Sequence, residues 1–237
     1  GVISGLISPN FGGFGGSGED ISIIFELIGK SLCVEPFLSS GVLSSSILSS
    51  IKDPRTQIIN KIIGGELLIS FAHMEMNSRY DDYFLESKAT FENDNWRIGG
   101  TKSFVINGDT ADKFIISARI KGDINDKNGI GLFLVDNNGV NIRPYNTIDG
   151  YRAAELNFDN LNAELLCEDN LANDCIIKAN SAGALALSAE AVGIMQVCFD
   201  LTLDYLKTRN QFGKSIGAFQ SIQHRMVDMM LEIEQVR

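Results

Sequence analysis

The hydrophobic pattern of this chain changes period twice, and that change limits the folds open to it. Up to about residue 64, apolar residues recur at spacings of three and four, as between Ile21 and Ile28, which is typical of amphipathic helices. Short apolar runs bounded by Gly, Asp and Asn follow, and these favour strands. Helical spacing then returns. The order predicts an α+β fold with an N-terminal helical domain at 1–64, a middle β domain at 65–165 and a C-terminal helical domain at 166–237.

Individual elements can be placed within these zones. Helices are predicted from Asp20, across residues 42–51, and from Asp53-Pro54 to Gly64. The middle zone holds four stretches of strand length separated by turn residues: 67–73, 91–98 (a hairpin), 114–118 and 132–135. Several short strands with turns between them predict a small antiparallel barrel or sandwich. Helices at 184–208 and 215–237 should pack antiparallel as part of a bundle, and we expect both helical domains to be incomplete.

Composition narrows the classes of partner. The chain is 44% hydrophobic, which is enough for a substantial core, and its net charge of −10 argues against nucleic acid, since phosphate binding needs a basic surface. No uninterrupted apolar run approaches the roughly 18 to 20 residues of a membrane span, and no basic segment leads into an apolar one as in a secretory signal. We therefore expect a cytoplasmic protein without a membrane partner.

The cysteines and histidines give no sign of a metal site. The four cysteines lack CxxC spacing, and Cys167 and Cys175, the closest pair, form a poor metal signature. We expect them to be buried free thiols. His73 and His224 are the only histidines, and two distant histidines support neither a metal site nor a Ser-His pair.

A helix–corner–helix segment near the end of the chain carries the most specific pattern. The run Tyr205-Leu-Lys-Thr-Arg-Asn-Gln-Phe-Gly-Lys-Ser-Ile-Gly-Ala-Phe-Gln220 ends one helix, turns at glycines and starts another. Arg209, Phe212 and Gln220 lie at that corner. A guanidinium suits phosphate oxygens, although Arg209 taken alone could equally cap carbonyls or pair with a nearby aspartate.

This segment resembles the signature that acyl-CoA dehydrogenases carry near the start of their C-terminal helical domain. In that family the Arg, the Phe and the Gln reach across a dimer interface to the diphosphate and adenine end of a neighbour's FAD. The resemblance therefore implies that Arg209, Phe212 and Gln220 bind FAD. It also implies the family's order of N-terminal helices, β domain and helical bundle.

The β zone is similar to the same family in two further segments. Residues 71–81 align with the strand and loop that cover the flavin and the pantetheine arm, and residues 100–109 align with the segment along the flavin edge. Members of the aligned set that match the usual pattern are Glu75, Asp81, Gly100, Lys102 and Asn107.

Other positions in these segments depart from the pattern. Met74 and Ile106 replace threonines that contact the flavin, and Phe104 replaces a tryptophan beside the ring. Tyr80 stands where a serine lies near the pantetheine, so the resemblance implies a substrate-binding role for it. The cofactor-binding set that the resemblance implies in this zone is Phe71, His73, Met74, Phe104 and Ile106. Met74 and Ile106 could also be core packing.

No catalytic base is assigned. In the family a carboxylate removes the proton α to the thioester carbonyl, and its usual place lies in helices beyond Arg237. Some relatives carry it on the long helix, where Glu190 and Asp200 are candidates; each could also be a structural carboxylate bonded to neighbouring helices.

The departures resemble the small subunits of two-component acyl-CoA dehydrogenases, such as the pimeloyl-CoA and steroid side-chain enzymes. The resemblance implies an FAD-dependent oxidoreductase that desaturates an acyl-CoA thioester between Cα and Cβ in fatty acid or steroid catabolism. It would assemble with a large-subunit homologue or with itself and pass electrons to an electron-transfer flavoprotein. Two alternatives remain: a non-catalytic interface subunit that completes a partner's FAD site, and a relative that redirects reduced flavin to oxygen.

Overall fold

The computed structural model describes residues 1–237 and begins with short helical segments. Helices α1 (Val2–Gly5), α2 (Gly18–Ser31), α3 (Ser45–Ser50) and α4 (Thr56–Gly64) are joined by a 3₁₀ turn at Pro9–Phe11 and a π-helix at Phe37–Ser44. The helices predicted from Asp20 and up to Gly64 are confirmed. The one predicted across 42–51 divides between the π-helix and α3.

The middle zone forms a closed barrel. Its strands are β1 (Ile69–Ala72), β2 (Lys88–Glu92), β3 (Asn95–Ile106), β4 (Lys113–Arg119), β5 (Ile130–Asp136), β6 (Asn141–Asn146) and β7 (Arg152–Glu168). The sheet runs β1-β4-β2-β3-β7-β5, and pairing of β5 with β4 closes it. The β2–β3 turn at Asn93-Asp94 has positive φ at both residues, which is the geometry of a type I′ hairpin. The hairpin predicted at 91–98 is confirmed.

The sheet is mixed rather than purely antiparallel. β1 pairs with β4 in parallel, from Ile69 opposite Lys113 to Ala72 opposite Ile116, and β2 also meets the end of β4 in parallel. The expectation of an all-antiparallel sheet is therefore wrong at β1. Strand direction depends on the long connection between β1 and β4, and the apolar run of β1 does not encode it.

Serine hydroxyls satisfy the backbone at the start of β1. Ser40 Oγ accepts a hydrogen bond from the Ile69 N–H (3.0 Å) and donates to the Ile69 carbonyl (2.9 Å), and Ser44 Oγ donates to the same carbonyl (2.9 Å). Both serines are fully buried. Because buried backbone groups must be paired, the serine-rich π-helix takes the place of a neighbouring strand here.

The C-terminal zone begins with one continuous helix. Helix α5 (Asp169–Thr208) is followed by a two-residue hairpin of β8 (Asn210–Gln211) and β9 (Lys214–Ser215), a 3₁₀ turn, and α6 (Gln220–Val236). The α5 helix is long and apolar enough to cross a membrane by length and composition, which the expectation of no membrane span did not foresee. This is weak support for a span, since the core helix of a soluble protein meets the same criterion, and the first turns of α5 contribute Ala172, Ile176 and Ala179 to the core.

The chain divides into two compact units that do not follow the three predicted zones. The first unit comprises residues 1–17 and 34–183 and holds the barrel, α3, α4 and the start of α5. The second comprises 18–33 and 184–237, and holds α2, the rest of α5 and α6. In the second unit, Arg237 of the α6 end donates to Gln196 of α5 (3.2 Å), while Gly217, before α6, lies against Leu206. The antiparallel packing predicted for these helices is confirmed.

All four cysteines are free thiols. Cys167 and Cys175 are buried in one core cluster and their thiols are hydrogen-bonded to each other. Cys33 is half-buried and Cys198 is exposed on α5, so the expectation of burial is wrong for Cys198.

Candidate functional site: a barrel rim and a helical corner

A β-bulge displays Phe104 at the rim of the barrel. The β3–β7 register shifts between Lys102 and Val105, so Ser103 and Phe104 face one residue of β7. Phe104 has φ +51° and its side chain is 46% exposed. A bulky residue with positive φ is a backbone outlier, and bulges commonly re-aim side chains beside functional sites.

Met74 lies beside this bulge. Its carbonyl accepts a hydrogen bond from the Ser103 N–H (2.8 Å), which joins the segment after β1 to the bulge of β3. The Met74 side chain is 40% exposed. Tyr145 of β6 also reaches the bulge, where its hydroxyl is hydrogen-bonded to the Phe104 backbone; burial, with Glu155 nearby, raises the Tyr145 pKa against that hydrogen bond. Met74, Phe104 and Tyr145 are all at least partly exposed around the bulge, and we call these three residues the rim.

A buried ion pair supports the rim from below. Lys102 Nζ donates to Glu75 Oε1 (2.7 Å), to the His73 carbonyl (3.2 Å) and to Ser117 Oγ (3.2 Å). Glu75 also accepts the Glu86 N–H (2.6 Å) and the Ser87 N–H (3.1 Å). Every oxygen and ammonium proton of the pair thus has a partner nearby, which is the condition for keeping charges buried.

Both members of this ion pair have pKa values below their ordinary ones. Burial lowers the pKa of Lys102 to about 8, against the opposing effect of Glu75. For Glu75, burial favours the neutral acid, but the Lys102 ammonium and the hydrogen bonds outweigh it and lower the carboxyl pKa. Since Lys102 is inaccessible and fully engaged, we assign the pair to structural support of the rim.

The corner predicted from the sequence is a strained hairpin tip in the second unit. Phe212 and Gly213 connect β8 to β9 with φ +54° and +80°, as in a type I′ turn. The Phe212 side chain is 92% exposed. Its ring meets Phe219 edge to face at 6.3 Å, and Lys214 Nζ lies 4.3 Å from the centre of the Phe219 ring.

Arg209 and Gln220 bracket this hairpin. The Arg209 carbonyl accepts the Ile216 N–H (2.9 Å), and its own N–H donates to the Tyr205 carbonyl (2.9 Å). These bonds fix the backbone while the Arg209 side chain is exposed, as is that of Gln220 at the first residue of α6. The corner therefore presents a cation, an aromatic ring and an amide from one rigid turn.

The other predicted site residues differ in how far their side chains are buried. Phe71 and His73 are buried and stack with ring centroids 5.5 Å apart, whereas Ile106 is half-buried. Tyr80 is 98% exposed with φ +114°. The structure thus joins Met74 to the bulge of Phe104 through one backbone hydrogen bond, and it buries Phe71 and His73. Their roles in binding a cofactor stay predictions.

The candidate bases lie on the part of α5 that belongs to the second unit. Glu190 is buried, and its carbonyl would lie 2.0 Å from a Cβ at Gly29. Asp200 is exposed and accepts a hydrogen bond from Gln196 (3.1 Å). Neither observation assigns a proton-transfer role.

Sequence reasoning missed Ser117, Asp82 and Tyr145 near the rim. Ser117 is 44 residues from His73 yet bonds to its ring, and Tyr145 reaches Phe104 from another strand. Nothing local in the sequence signals such contacts, because they depend on which strands pair.

Known proteins resemble this chain over nearly its whole length. A probable acyl-CoA dehydrogenase, YngJ of Bacillus subtilis, is 29% identical over 240 residues, which cover 96% of this chain and 63% of YngJ. The structure of butyryl-CoA dehydrogenase from Megasphaera elsdenii matches with a TM-score of 0.90 and 22% identity, covering 99% of this chain and 65% of that one. PigA with FAD and proline matches with a TM-score of 0.88 and 25% identity, again over 99% and 65%.

Two family profiles match separate parts of the chain. Residues 70–161 match the acyl-CoA dehydrogenase middle domain, and residues 174–237 match the acyl-CoA dehydrogenase C-terminal domain. The first range covers most of the barrel with its rim, and the second covers the long helix and the corner. The chain therefore belongs to the acyl-CoA dehydrogenase family.

Proposed function

We propose that this chain is an FAD-binding subunit of an acyl-CoA dehydrogenase that desaturates an acyl thioester between Cα and Cβ. It would work in an assembly with a second, homologous subunit or with a second copy of itself. A role in fatty acid or steroid catabolism, a cytoplasmic location and an electron-transfer flavoprotein as acceptor belong to the same proposal.

The strained, exposed Phe104 beside Met74 is the observation that carries the proposal. Holding a phenylalanine at positive φ costs on the order of 1–2 kcal/mol, and such strain persists where the surrounding structure over-determines it, commonly at functional sites. An exposed apolar rim of this kind offers a face on which a planar ring system can lie.

The rim and the corner would act on the FAD of different subunits. Met74 and Phe104 would contact the isoalloxazine ring of one FAD, while Arg209 would pair with the diphosphate of a neighbouring subunit's FAD and Gln220 would bond to polar groups of that nucleotide. Positions 74, 104 and 106 carry no side-chain hydrogen-bond donor, so hydrogen bonds to the flavin there would come from the backbone. When bound, FAD supplies a hydride acceptor for oxidation of the thioester.

The chain's own residues would position and shield the substrate. The exposed Tyr80 follows the rim segment and would lie along the acyl-thioester arm, and the apolar rim would keep water from the reacting carbons. The residue that removes the α proton is not assigned to this chain.

A second candidate, a non-catalytic subunit that completes a partner's FAD site, is favoured by one observation. The corner displays Phe212 almost fully exposed beside the exposed Arg209, and phenylalanine and arginine are both enriched where proteins bind partners. In this alternative Arg209, Phe212 and Gln220 would act on the partner's cofactor, and the rim would bind nothing.

A visible absorption spectrum of the purified protein tests these candidates. We expect a flavin band either from the chain alone or after co-purification with a candidate large subunit. A band that survives Phe104→Asp in this chain but is lost with Arg209→Glu would favour the interface subunit. No flavin under either condition would contradict both candidates. A flavin band together with oxygen consumption on addition of an acyl-CoA would instead support the relative that redirects reduced flavin to oxygen.

A further inference from the structure

We propose that neutral His73 is a positioning residue: its ring locks segment 73–82 behind the rim, and proton binding to that ring releases the segment. The part of this inference that concerns flavin affinity rests on the proposed function. The part that concerns the segment itself stands on the contacts of His73 alone.

The His73 ring is held on three sides. Its plane is almost parallel to Phe71, at an angle of 6°. Its Nδ1 lies 2.8 Å from Ser117 Oγ of β4, and its Nε2 lies 3.7 Å from Asp82 Oδ1. Only 7% of the residue is exposed. The ring therefore connects a strand of the barrel to the far end of its own segment.

A relay of donors and acceptors sets the tautomer. The Lys102 ammonium can only donate, so Ser117 Oγ accepts from it (3.2 Å). The Ser117 hydroxyl proton is then available to His73 Nδ1, and in this arrangement the ring proton lies on Nε2, which faces Asp82. A second ring proton would turn the Ser117 hydroxyl proton away, and Ser117 Oγ would then accept from both Lys102 and Nδ1–H.

The charges around the ring reinforce this preference. Burial lowers the His73 pKa below that of a free histidine, and the Lys102 ammonium acts in the same direction, whereas Asp82 and Glu75 oppose it. A protonated ring would thus place a buried positive charge near the Lys102 ammonium and reverse the direction of its bond to Ser117. Movement of the protonated ring toward the Asp82 carboxylate would reduce this repulsion, but the ring would then leave its present contacts with Phe71 and Ser117.

Movement of His73 would reach the rim directly. Met74 is the next residue, and its carbonyl holds the Ser103 N–H beside Phe104 (2.8 Å). At the other end of the segment, Asp82 accepts a hydrogen bond from Asn180 of α5 (3.1 Å). Loss of the ring contacts would therefore loosen the segment on either side of Glu75, which stays bonded to Lys102, and Met74 lies between His73 and Glu75.

The chain offers a matched pair of histidines for the test. His73→Gln keeps an acceptor for Ser117 and a donor for Asp82 but does not titrate near neutrality, and His73→Leu removes both contacts. His224, the only other histidine, is exposed, so His224→Gln controls for general effects of pH. Hydrogen exchange of the amides in 73–82 is followed by mass spectrometry between about pH 7.5 and pH 5, corrected for intrinsic rates.

In the wild type and in His224→Gln, we expect exchange in 73–82 to accelerate as pH falls below 6.5, by about tenfold for each pKa unit that burial removes from His73. His73→Gln should stay protected throughout, and His73→Leu should exchange fast at every pH. A merely space-filling histidine predicts the same protection at all pH values in the wild type, and that result would overturn the proposal.

FAD titration by calorimetry over the same pH range separates the two proposals. If the chain, or its complex with a large subunit, binds FAD, affinity should fall with exchange protection in the wild type and stay constant in His73→Gln. Absence of FAD binding together with the expected exchange pattern would reject the proposed function and keep the positioning role. Constant affinity in the wild type beside pH-dependent exchange would show that the segment does not govern the flavin.

Discussion

Lys102 is an unusual residue to find without any exposed surface, and its energetics depend on Glu75. Removing one partner of a buried ion pair leaves an uncompensated charge and costs about 3–5 kcal/mol, whereas an apolar replacement of both can be neutral. The sequence resemblance identified both positions as matching the family pattern, but it could not show that they form a pair.

We expect Glu75→Leu and Lys102→Met each to lower the free energy of unfolding by about 3–5 kcal/mol, and the double variant Glu75→Leu/Lys102→Met to lower it by less than the sum. Urea denaturation measures all three. The exposed pair Arg143–Glu155 (3.0 Å) is the matched control, and its removal should change stability by no more than about 1 kcal/mol. Additive losses at Glu75 and Lys102 would contradict the coupling.

The same pair predicts a dependence of stability on acid. The folded pKa of Glu75 lies below its ordinary value of 4.5, so its stabilising contribution is complete above that value and is lost as pH falls through the folded pKa. A urea-denaturation series from pH 7 to pH 3 should therefore show a steeper fall for the wild type than for Glu75→Gln. Parallel curves would show that folding leaves the pKa of Glu75 unchanged, which would contradict the stabilising role of the pair.

Phe104 allows backbone strain and ring contact to be separated. Glycine tolerates positive φ but alanine does not, so Phe104→Gly should be more stable to urea than Phe104→Ala by about 1 kcal/mol. Both variants lack the ring, and both should bind FAD equally weakly in a titration. If Phe104→Gly bound FAD as the wild type does, the ring would have no part in the site.

At the scale of elements, helices α2 and α5 approach each other through glycines. A Cβ at Gly193 would lie 2.1 Å from the Glu26 carbonyl oxygen, and one at Gly29 would lie 2.0 Å from that of Glu190. Both obstacles are backbone atoms, which cannot move aside as a flexible side chain can. The close approach of α2 and α5 therefore requires glycine, which has no side chain, at positions 29 and 193.

We expect Gly193→Ala to destabilise the second unit by about 1–3 kcal/mol, as overpacking does in a close-packed interior. Gly64→Ala at the end of α4 is the control, because its Cβ would meet nothing closer than 3.4 Å and alanine favours the helix by up to about 1 kcal/mol. Thermal unfolding followed by circular dichroism compares them. Equal melting temperatures for the two variants would mean that the helices can separate at no cost.

At the scale of the whole molecule, the sequence predicted the features that depend on neighbouring residues and missed those that depend on contacts between residues far apart in the chain. The apolar runs of β4 and β5 and the turn at Asn93-Asp94 carry their own signals, so these elements were found. The parallel pairing of β1, the bulge at Phe104 and the contact between Ser117 and His73 arise from residues far apart in the chain. Periodicity cannot report which distant strand will be a neighbour.

The candidate site divides in the same way. Arg209, Phe212 and Gln220 lie within one short segment of chain, and its resemblance to the family signature was enough to predict them. The rim needs β1, β3 and β6 together, so only the family resemblance pointed to Met74 and Phe104, and nothing pointed to Tyr145. The same resemblance did not show that Met74 and Phe104 are exposed whereas Phe71 and His73 are buried.

If the corner of one chain serves the flavin at the rim of another, two defective variants should repair each other. Phe104→Asp places a charge on the rim and leaves the corner intact, while Arg209→Glu reverses the corner's charge and leaves the rim intact. Each variant alone should lose FAD.

A mixture of the two variants that is unfolded and refolded together should regain about a quarter of the wild-type flavin. In a random mixture half of the dimers pair unlike chains, and each of these dimers holds one intact site of two. Mixtures refolded separately and then combined without exchange are the control. Recovery in neither mixture would mean that rim and corner must lie in the same chain, or that neither binds FAD, and the spectrum of the wild-type protein distinguishes these two outcomes.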